Sequence, residues 1–173
     1  LVPGGEYLPM RSWLEPLGLR RLVAGTLDFW PGPGPRTFDF GPWGKAGVQI
    51  CYEIEFSGEV VDPRVRPDFI FNPFNDGWYG AWGPPQHLAQ ARLRAIEEGL
   101  PVMRSTTSGI SAVIDADGIV RASIPRHREG RLDGRIPPPE AATPFARHGN
   151  LLPLGLAMAL LIVCAVALRR VRG

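Results

Sequence analysis

The stretch "GVQICYEIEF", residues 47–56, places one of the chain's two cysteines at the end of an apolar run and follows it at once with an aromatic and an acid. Val48 to Ile50 have the character of a buried strand, Cys51 falls at the turn, and the residues from Glu53 onward suit a first helical turn, where acids complement the helix dipole. A thiol becomes a nucleophile when it ionises, and proteins favour the thiolate at strand-to-helix turns with an acid or base in reach. Taken alone, Cys-Tyr-Glu is more often a buried structural cysteine beside an acid that favours a helix start, so the wider sequence has to decide.

Outward from this stretch, residues 1–125 read as alternating strands and helices, an α/β or α+β pattern. "KAGVQICYE" and "PDFIFNPF" are short apolar runs with strand character. "PPQHLAQARLRAIEEGL" opens on proline, spaces Leu88, Ala91 and Ile96 helically and closes at Gly99. "PVMRSTTSGISAVIDADGIVRASI" reads as two β-rich runs joined by the turn "DADG". Residues 126–150, with three successive prolines and little apolar periodicity, read as a linker. Residues 151–168 carry no charge and end abruptly in "RRVRG". As a helix this run covers about 27 Å, close to the ~30 Å of a bilayer core. A buried core helix is the alternative, but apolarity on all sides before an arginine cluster favours a transmembrane helix with residues 169–173 as a cytoplasmic tail.

Composition bounds the function. The 173 residues are 45% apolar and 21% charged, with 19 prolines and 21 glycines, which suits one loop-rich globular unit. The formal net charge is +2, and Arg169, Arg170 and Arg172 alone contribute +3, so the body is slightly acidic and carries no basic face for nucleic acid. Three histidines and two cysteines are scattered without ligand spacing, which argues against a metal centre, and His87, early in the helix, reads as structural. Cys164 lies inside the apolar run, so no disulfide framework is expected. The opening "LVPGGEYLP" lacks an initiator Met and a leader pattern, and the chain reads as the C-terminal part of something longer.

The string "CYEIEFSGE", Cys51 to Glu59, resembles the nucleophile signature of the nitrilase (carbon-nitrogen hydrolase) superfamily. Within that superfamily "LVPGGEYLP", "FNDGWYG", "PPQHLAQARLRAIEEGLPVMRST", "GISAVIDADG" and the apolar C-terminal run together resemble the apolipoprotein N-acyltransferase family. The resemblance implies part of a nitrilase-like αββα sandwich followed by a transmembrane helix. It implies a cofactor-free acyl transfer in which Cys51 takes an acyl group from a phospholipid as a thioester and passes it to the N-terminal amine of a diacylglyceryl-cysteine apolipoprotein. Glu6 matches a second acid that supports the site, although Gly4 stands where the family more often has Phe. Glu53 matches a position that could orient the family's lysine or hold the amine. Tyr52, Trp78 and Tyr79 match substrate-side positions, the last two on a mobile loop. Thr107 and Ser108 depart from a more Asn-rich family version. The family's glutamate base and oxyanion lysine are expected upstream of Leu1. The implied setting is the bacterial inner membrane, the catalytic domain periplasmic, with a monomer expected. Two other readings stand beside this one: a membrane-anchored nitrilase-type amidohydrolase and a non-catalytic membrane-anchored binding module.

Overall fold

The computed structural model describes residues 10–18, 32–78 and 80–172, with a short helix α1 (Arg11–Leu14) ahead of the sheet. Its centre is one six-stranded mixed sheet in chain order: β1 (Thr37–Asp39), β2 (Lys45–Val48), β3 (Phe69–Phe74), β4 (Val102–Thr106), β5 (Ser111–Ile114) and β6 (Val120–Ile124). The middle strands β2, β3 and β4 run parallel, and β1, β5 and β6 extend the sheet antiparallel on either side. Parallel neighbours need a crossover, which between β3 and β4 is the helix α2 (Gly83–Glu98). Three strand ends, at Val48, Phe74 and Thr106, therefore open on the same edge of the sheet.

Side chains alternate across a strand, so Ile70, Asn72 and Phe74 of β3 share a face with Val102 and Arg104 of β4 and Ala112 and Ile114 of β5. That face meets α2. Ile54, Val60, Ile70, Leu100, Val102 and Ile114 are fully buried there, and the helix contributes only Ala91 and Ala95 to the apolar cluster. Alanines let the helix lie close to the sheet, while the large side chains of strands and loops fill the space. Each fully buried Leu, Ile or Val contributes about 1.5–3 kcal/mol, enough to hold the layers together. The rest of the helix's buried face is polar: His87, Arg94 and Glu98 line it together with Pro84.

Among the described residues the other face of the sheet carries no helical layer. Phe71, Met103, Val113 and Ile124 border a cavity of about 870 Å³ closed on one side by residues 128–137. The molecule is thus one β-layer and one helical layer, part of an αββα arrangement.

Several expectations from sequence change in detail. β2 ends at Val48 rather than Ile50, because Gln49 turns inward, its N–H donating to Phe71 O at 2.9 Å, and Ile50 is left 61% exposed. The β-rich segment after Gly99 holds three strands, not two. Its first run doubles back at residues 107–110, where Ser111 Oγ accepts from the Thr106 N–H at 3.0 Å. The "DADG" turn does join β5 to β6, with Gly118 at φ +75° and Asp115 Oδ1 accepting from the Ile119 N–H at 2.8 Å. On α2, Ala91 is buried but Ile96 lies 49% exposed, since the inward stripe is rotated toward the polar side chains.

Residues 126–143 contain no helix or strand, yet their end is docked on the C-terminal end of α2. Glu140 N–H donates to Gly99 O at 2.9 Å and Thr143 Oγ1 donates to Glu97 O. Arg66 Nη2 also donates to Glu98 O at 2.7 Å, satisfying carbonyls that a helix end leaves unpaired. Thr143 then caps α3 (Pro144–His148) by accepting from the Ala146 N–H at 2.9 Å. The last helix, α4 (Leu151–Arg172), contains the apolar stretch Leu151–Arg169, of mean hydropathy 2.7 and with no part buried, long and apolar enough to cross a membrane.

Gly109 packs against Asp76 so closely that a Cβ built there would fall 1.8 Å from Asp76 Oδ2. Asp76 is held on both carboxylate oxygens, by His87 and Arg104, and cannot step aside. Gly109→Ala is expected to lower stability by at least about 1–3 kcal/mol, as overpacking does. Gly134→Ala, with open space around the added atom, is expected to leave the thermal unfolding midpoint unchanged.

Candidate active site

The parallel strand ends converge on Cys51. The residue opens a short 3₁₀ turn, Cys51–Glu55, and has φ +54°, a left-handed conformation rarely adopted by a residue with a Cβ. Extended Ile50 feeds directly into this strained position, so the chain makes a sharp elbow between strand and turn. The Cys51 thiol is free and half-buried, packed against the core cluster. Two side chains hold the elbow. Glu53 Oε2 accepts from the Ile50 N–H at 2.8 Å, so this acid reaches back to the backbone just before Cys51 and rigidifies the turn. From the sheet, Asn72 Nδ2 donates to Gln49 O at 2.7 Å and to Cys51 O at 3.3 Å.

Beneath the elbow lies a chain of buried polar groups. Arg104 Nη1 donates to Asn72 Oδ1 at 2.6 Å and its Nη2 to Asp76 Oδ2 at 3.2 Å. Asp76 Oδ1 pairs with His87 Nδ1 at 2.7 Å. The side chains of Arg104 and Asp76 are fully buried, and the guanidinium also stacks 4.4 Å from the centre of the Phe74 ring. Burial pulls the Arg104 pKa down, opposed by the negative charges of Asp76, Glu55 and an ionised Cys51. Burial likewise pushes the Glu55 carboxyl above its ordinary range, against the pull of His87, Arg94 and Arg104, and Glu55 Oε1 is buried without a hydrogen-bond partner.

The loop after β3 is anchored around this network. Asn75 Oδ1 accepts from Gly77 N–H and from Thr107 Oγ1, both at 3.0 Å, so Thr107 satisfies the wall where the sequence departs from an Asn-rich pattern. Arg126 Nη1 donates to Ala81 O at 3.0 Å from the end of β6. Tyr52 is half-buried, its ring edge-on to Phe56 at 5.9 Å. Trp78 closes the short turn Asp76–Trp78. Its side chain lies outside the described residues, as do Glu6 and Tyr79. The structure therefore brings Cys51, Tyr52 and Glu53 together at the sheet edge. His87 is buried and paired, as a structural histidine should be.

The chain's single lysine, Lys45, starts β2 and lies at the opposite end of that strand from Cys51. About 10 Å of strand separates it from Val48 before the turn begins, more than its side chain spans. Among the described residues no group of three or more His, Cys, Asp or Glu could hold a metal ion. Chemically, the arrangement is a half-buried thiol on a rigid elbow, suited to covalent nucleophilic catalysis.

Sequence reasoning missed Asn72 and Arg104 as parts of the site. One signal was present: both polar residues fall in phase with the buried positions of apolar strands, Asn72 between Ile70 and Phe74, Arg104 two residues after Val102. A polar group at such a position is costly unless partnered, and the partners lie 23 and 32 residues away.

Comparison with known proteins agrees with this geometry. An apolipoprotein N-acyltransferase of Bradyrhizobium diazoefficiens is 43% identical over 98% of this chain, and one of Caulobacter vibrioides is 39% identical over 99%. The chain spans 32% of the length of each, about a third of these relatives. Among solved structures, the NitN amidase of Nesterenkonia sp. superposes with a TM-score of 0.50 at 13% identity, covering 76% of this chain and 51% of that one, a likeness of fold alone. The carbon-nitrogen hydrolase family model matches residues 2–143. With most of its length matched by that model and its cysteine on the elbow at the sheet's carboxyl edge, the chain belongs to the carbon-nitrogen hydrolase family.

Proposed function

We propose that this chain carries the nucleophile of an apolipoprotein N-acyltransferase. The observation that carries this reading is the Cys51 elbow, in a chain 43% identical to a relative of that name and continued into an exposed apolar helix. The Cys51 thiolate attacks the ester carbonyl of a phospholipid, the acyl–oxygen bond breaks, and a lysophospholipid leaves with a proton. The thioester is then attacked by the free amine of a diacylglyceryl-cysteine apolipoprotein. The new amide forms, the amine loses a proton, and the thiolate is restored. Thioesters react readily with amines, so splitting the transfer into two steps lowers the barrier of each.

Both steps need a base and a fixed donor for the developing oxyanion. Lys45 is too distant to be that donor, and the family resemblance assigns the base and the donor to positions upstream of Leu1. Glu53 orients the elbow, and the same resemblance assigns Tyr52, Trp78 and Tyr79 to the substrate side and Glu6 to a supporting acid. The catalytic portion occupies residues 1–125, residues 126–150 connect it to a membrane span at 151–168, and 169–173 form a basic tail. The tail keeps the C-terminus in the cytoplasm by the positive-inside rule, which places the catalytic portion on the periplasmic side of a bacterial inner membrane, acting as a monomer.

Cys51→Ala in the full-length gene product is expected to reduce both labelled-thioester formation from phospholipid and N-acylation to background, whereas Cys164→Ala leaves them intact. A labelled thioester on the Cys51→Ala protein would overturn the assignment. Rapid release of free fatty acid with no transfer to the amine would favour an amidase-type hydrolase instead. For topology, a reporter fused after Gly173 should work only as a cytoplasmic protein, and an engineered cysteine near residue 130 should label from the periplasmic side; labelling from the cytoplasm contradicts the arrangement.

A further inference from the structure

Arginine donates hydrogen bonds and cannot accept them, so a buried guanidinium dictates how its partners turn. Arg104 and Asn72 are direct neighbours across the β3–β4 ladder, and the 2.6 Å contact from Arg104 Nη1 requires the Asn72 amide to present its oxygen. The amide nitrogen then points the other way, at Gln49 O and Cys51 O, 2.7 and 3.3 Å distant. One NH₂ group thus bridges two carbonyls on either side of Ile50, where the chain must bend into the positive φ of Cys51. An amide flipped by 180° would set its one oxygen against two carbonyls and its NH₂ against a cation. Asp76 neutralises Arg104, and His87 holds Asp76 from α2, so the orientation is tied to three separate elements.

We propose that Asn72 is the positioning residue of the Cys51 elbow, its amide locked by Arg104 in the one orientation that clamps the backbone around the nucleophile. This rests on Cys51 being the nucleophile but not on which acyl group it carries. Asn72 touches neither the thiol nor a substrate. Its effect passes through the backbone, by holding a conformation that a residue with a side chain otherwise leaves.

The diagnostic change is Asn72→Asp, which keeps shape and an acceptor for Arg104 but replaces the NH₂ donor. Ionised, the introduced carboxyl can only accept, and it repels Gln49 O and Cys51 O. The Arg104 guanidinium beside it holds the carboxyl in that ionised form. The charged and titratable groups around it are Arg104 on β4, Asp76 on the turn after β3, His87 and Arg94 on α2, and Glu53 and Glu55 on the Cys51 turn.

The measurement is the rate of iodoacetamide alkylation of Cys51, read by mass spectrometry of its peptide, in the full-length gene product carrying Cys164→Ala, from pH 5 to pH 10. Rates are compared where each protein's own pH profile has levelled, because a carboxylate placed near the thiol moves the thiol's titration. At that plateau Asn72→Asp and Asn72→Leu are each expected to differ from the unsubstituted protein at least tenfold, whereas Arg104→Met with Asp76→Asn, which frees the amide to turn, changes the rate in the Asn72 protein and not in Asn72→Leu. Plateau rates of the Asn72 variants near that of the unsubstituted protein, or an Arg104→Met, Asp76→Asn effect that persists in Asn72→Leu, overturn the proposal. If the single variant does not accumulate, Asn72→Asp with Asp76→Asn restores the buried charge balance and carries the same test. Labelled phospholipid added in parallel separates the two ideas. No thioester on the unsubstituted protein, with the plateau-rate changes intact, sinks the acyltransferase reading and leaves the positioning role standing.

Discussion

The buried guanidinium of Arg104 constrains everything at the sheet's carboxyl edge. Taking such a charge from water costs several kcal/mol unless its donors are met; here Nη1 is met by Asn72, Nη2 by Asp76 and the guanidinium face by Phe74, while Nε is buried without a hydrogen-bond partner. Those three partners come from β3 and the turn after it, while Asp76 in turn engages His87 on α2. Satisfying one cation therefore fixes the pairing of the two central strands, the start of the loop that follows β3, and the seat of the helix. Losing a single member would leave a buried charge unpaired, which is why such networks specify one arrangement sharply even where they add little net stability.

The cost of that constraint is visible in α2. A helix buried against a sheet normally turns an apolar stripe inward, but this one offers two alanines and the polar trio His87, Arg94 and Glu98. Burial raises the Glu98 carboxyl pKa, with the neighbouring charge of Glu97 adding to it. Compensation comes from elsewhere: Leu100, Val60 and Ile54 fill the space beside the helix, and Arg66 and Thr143 satisfy its last carbonyls. Stability is concentrated in the strands and the helix end, away from the elbow. The elbow carries strain at Cys51 and is held in place by hydrogen bonds instead of apolar packing alone.

The opposite face of the sheet has a different character. Phe71 is 38% exposed and, with Met103 and Val113, lines a cavity partly roofed by residues 128–137. A one-sided sheet buries only half of its apolar positions, and in an αββα sandwich this second face is the one that meets another sheet. The chain accounts for about a third of the length of the relatives it matches, and its described residues form the layer that carries Cys51 with its supporting helix.

Much of this was legible in the residues themselves. The apolar run from Leu151 needed no partner to be recognised, because all-round hydrophobicity over 18 or more residues is a property of composition. The position of Cys51 between a strand and a turn followed from local pattern, as did the opening of α2 on its prolines, its end at Gly99 and the "DADG" turn, since each depends on backbone preferences of adjacent residues. Tertiary structure alone decided which residues face one another across long separations. Asn72 meets Arg104 through strand register, 32 residues apart, and His87 meets Asp76 through the packing of a helix on a sheet. Short-range periodicity can mark a polar residue as buried, but it carries no information about its partner. The orientation of the Asn72 amide, and with it the shape of the Cys51 elbow, exists only once β4 lies beside β3, because it is imposed by a donor that the local sequence does not contain.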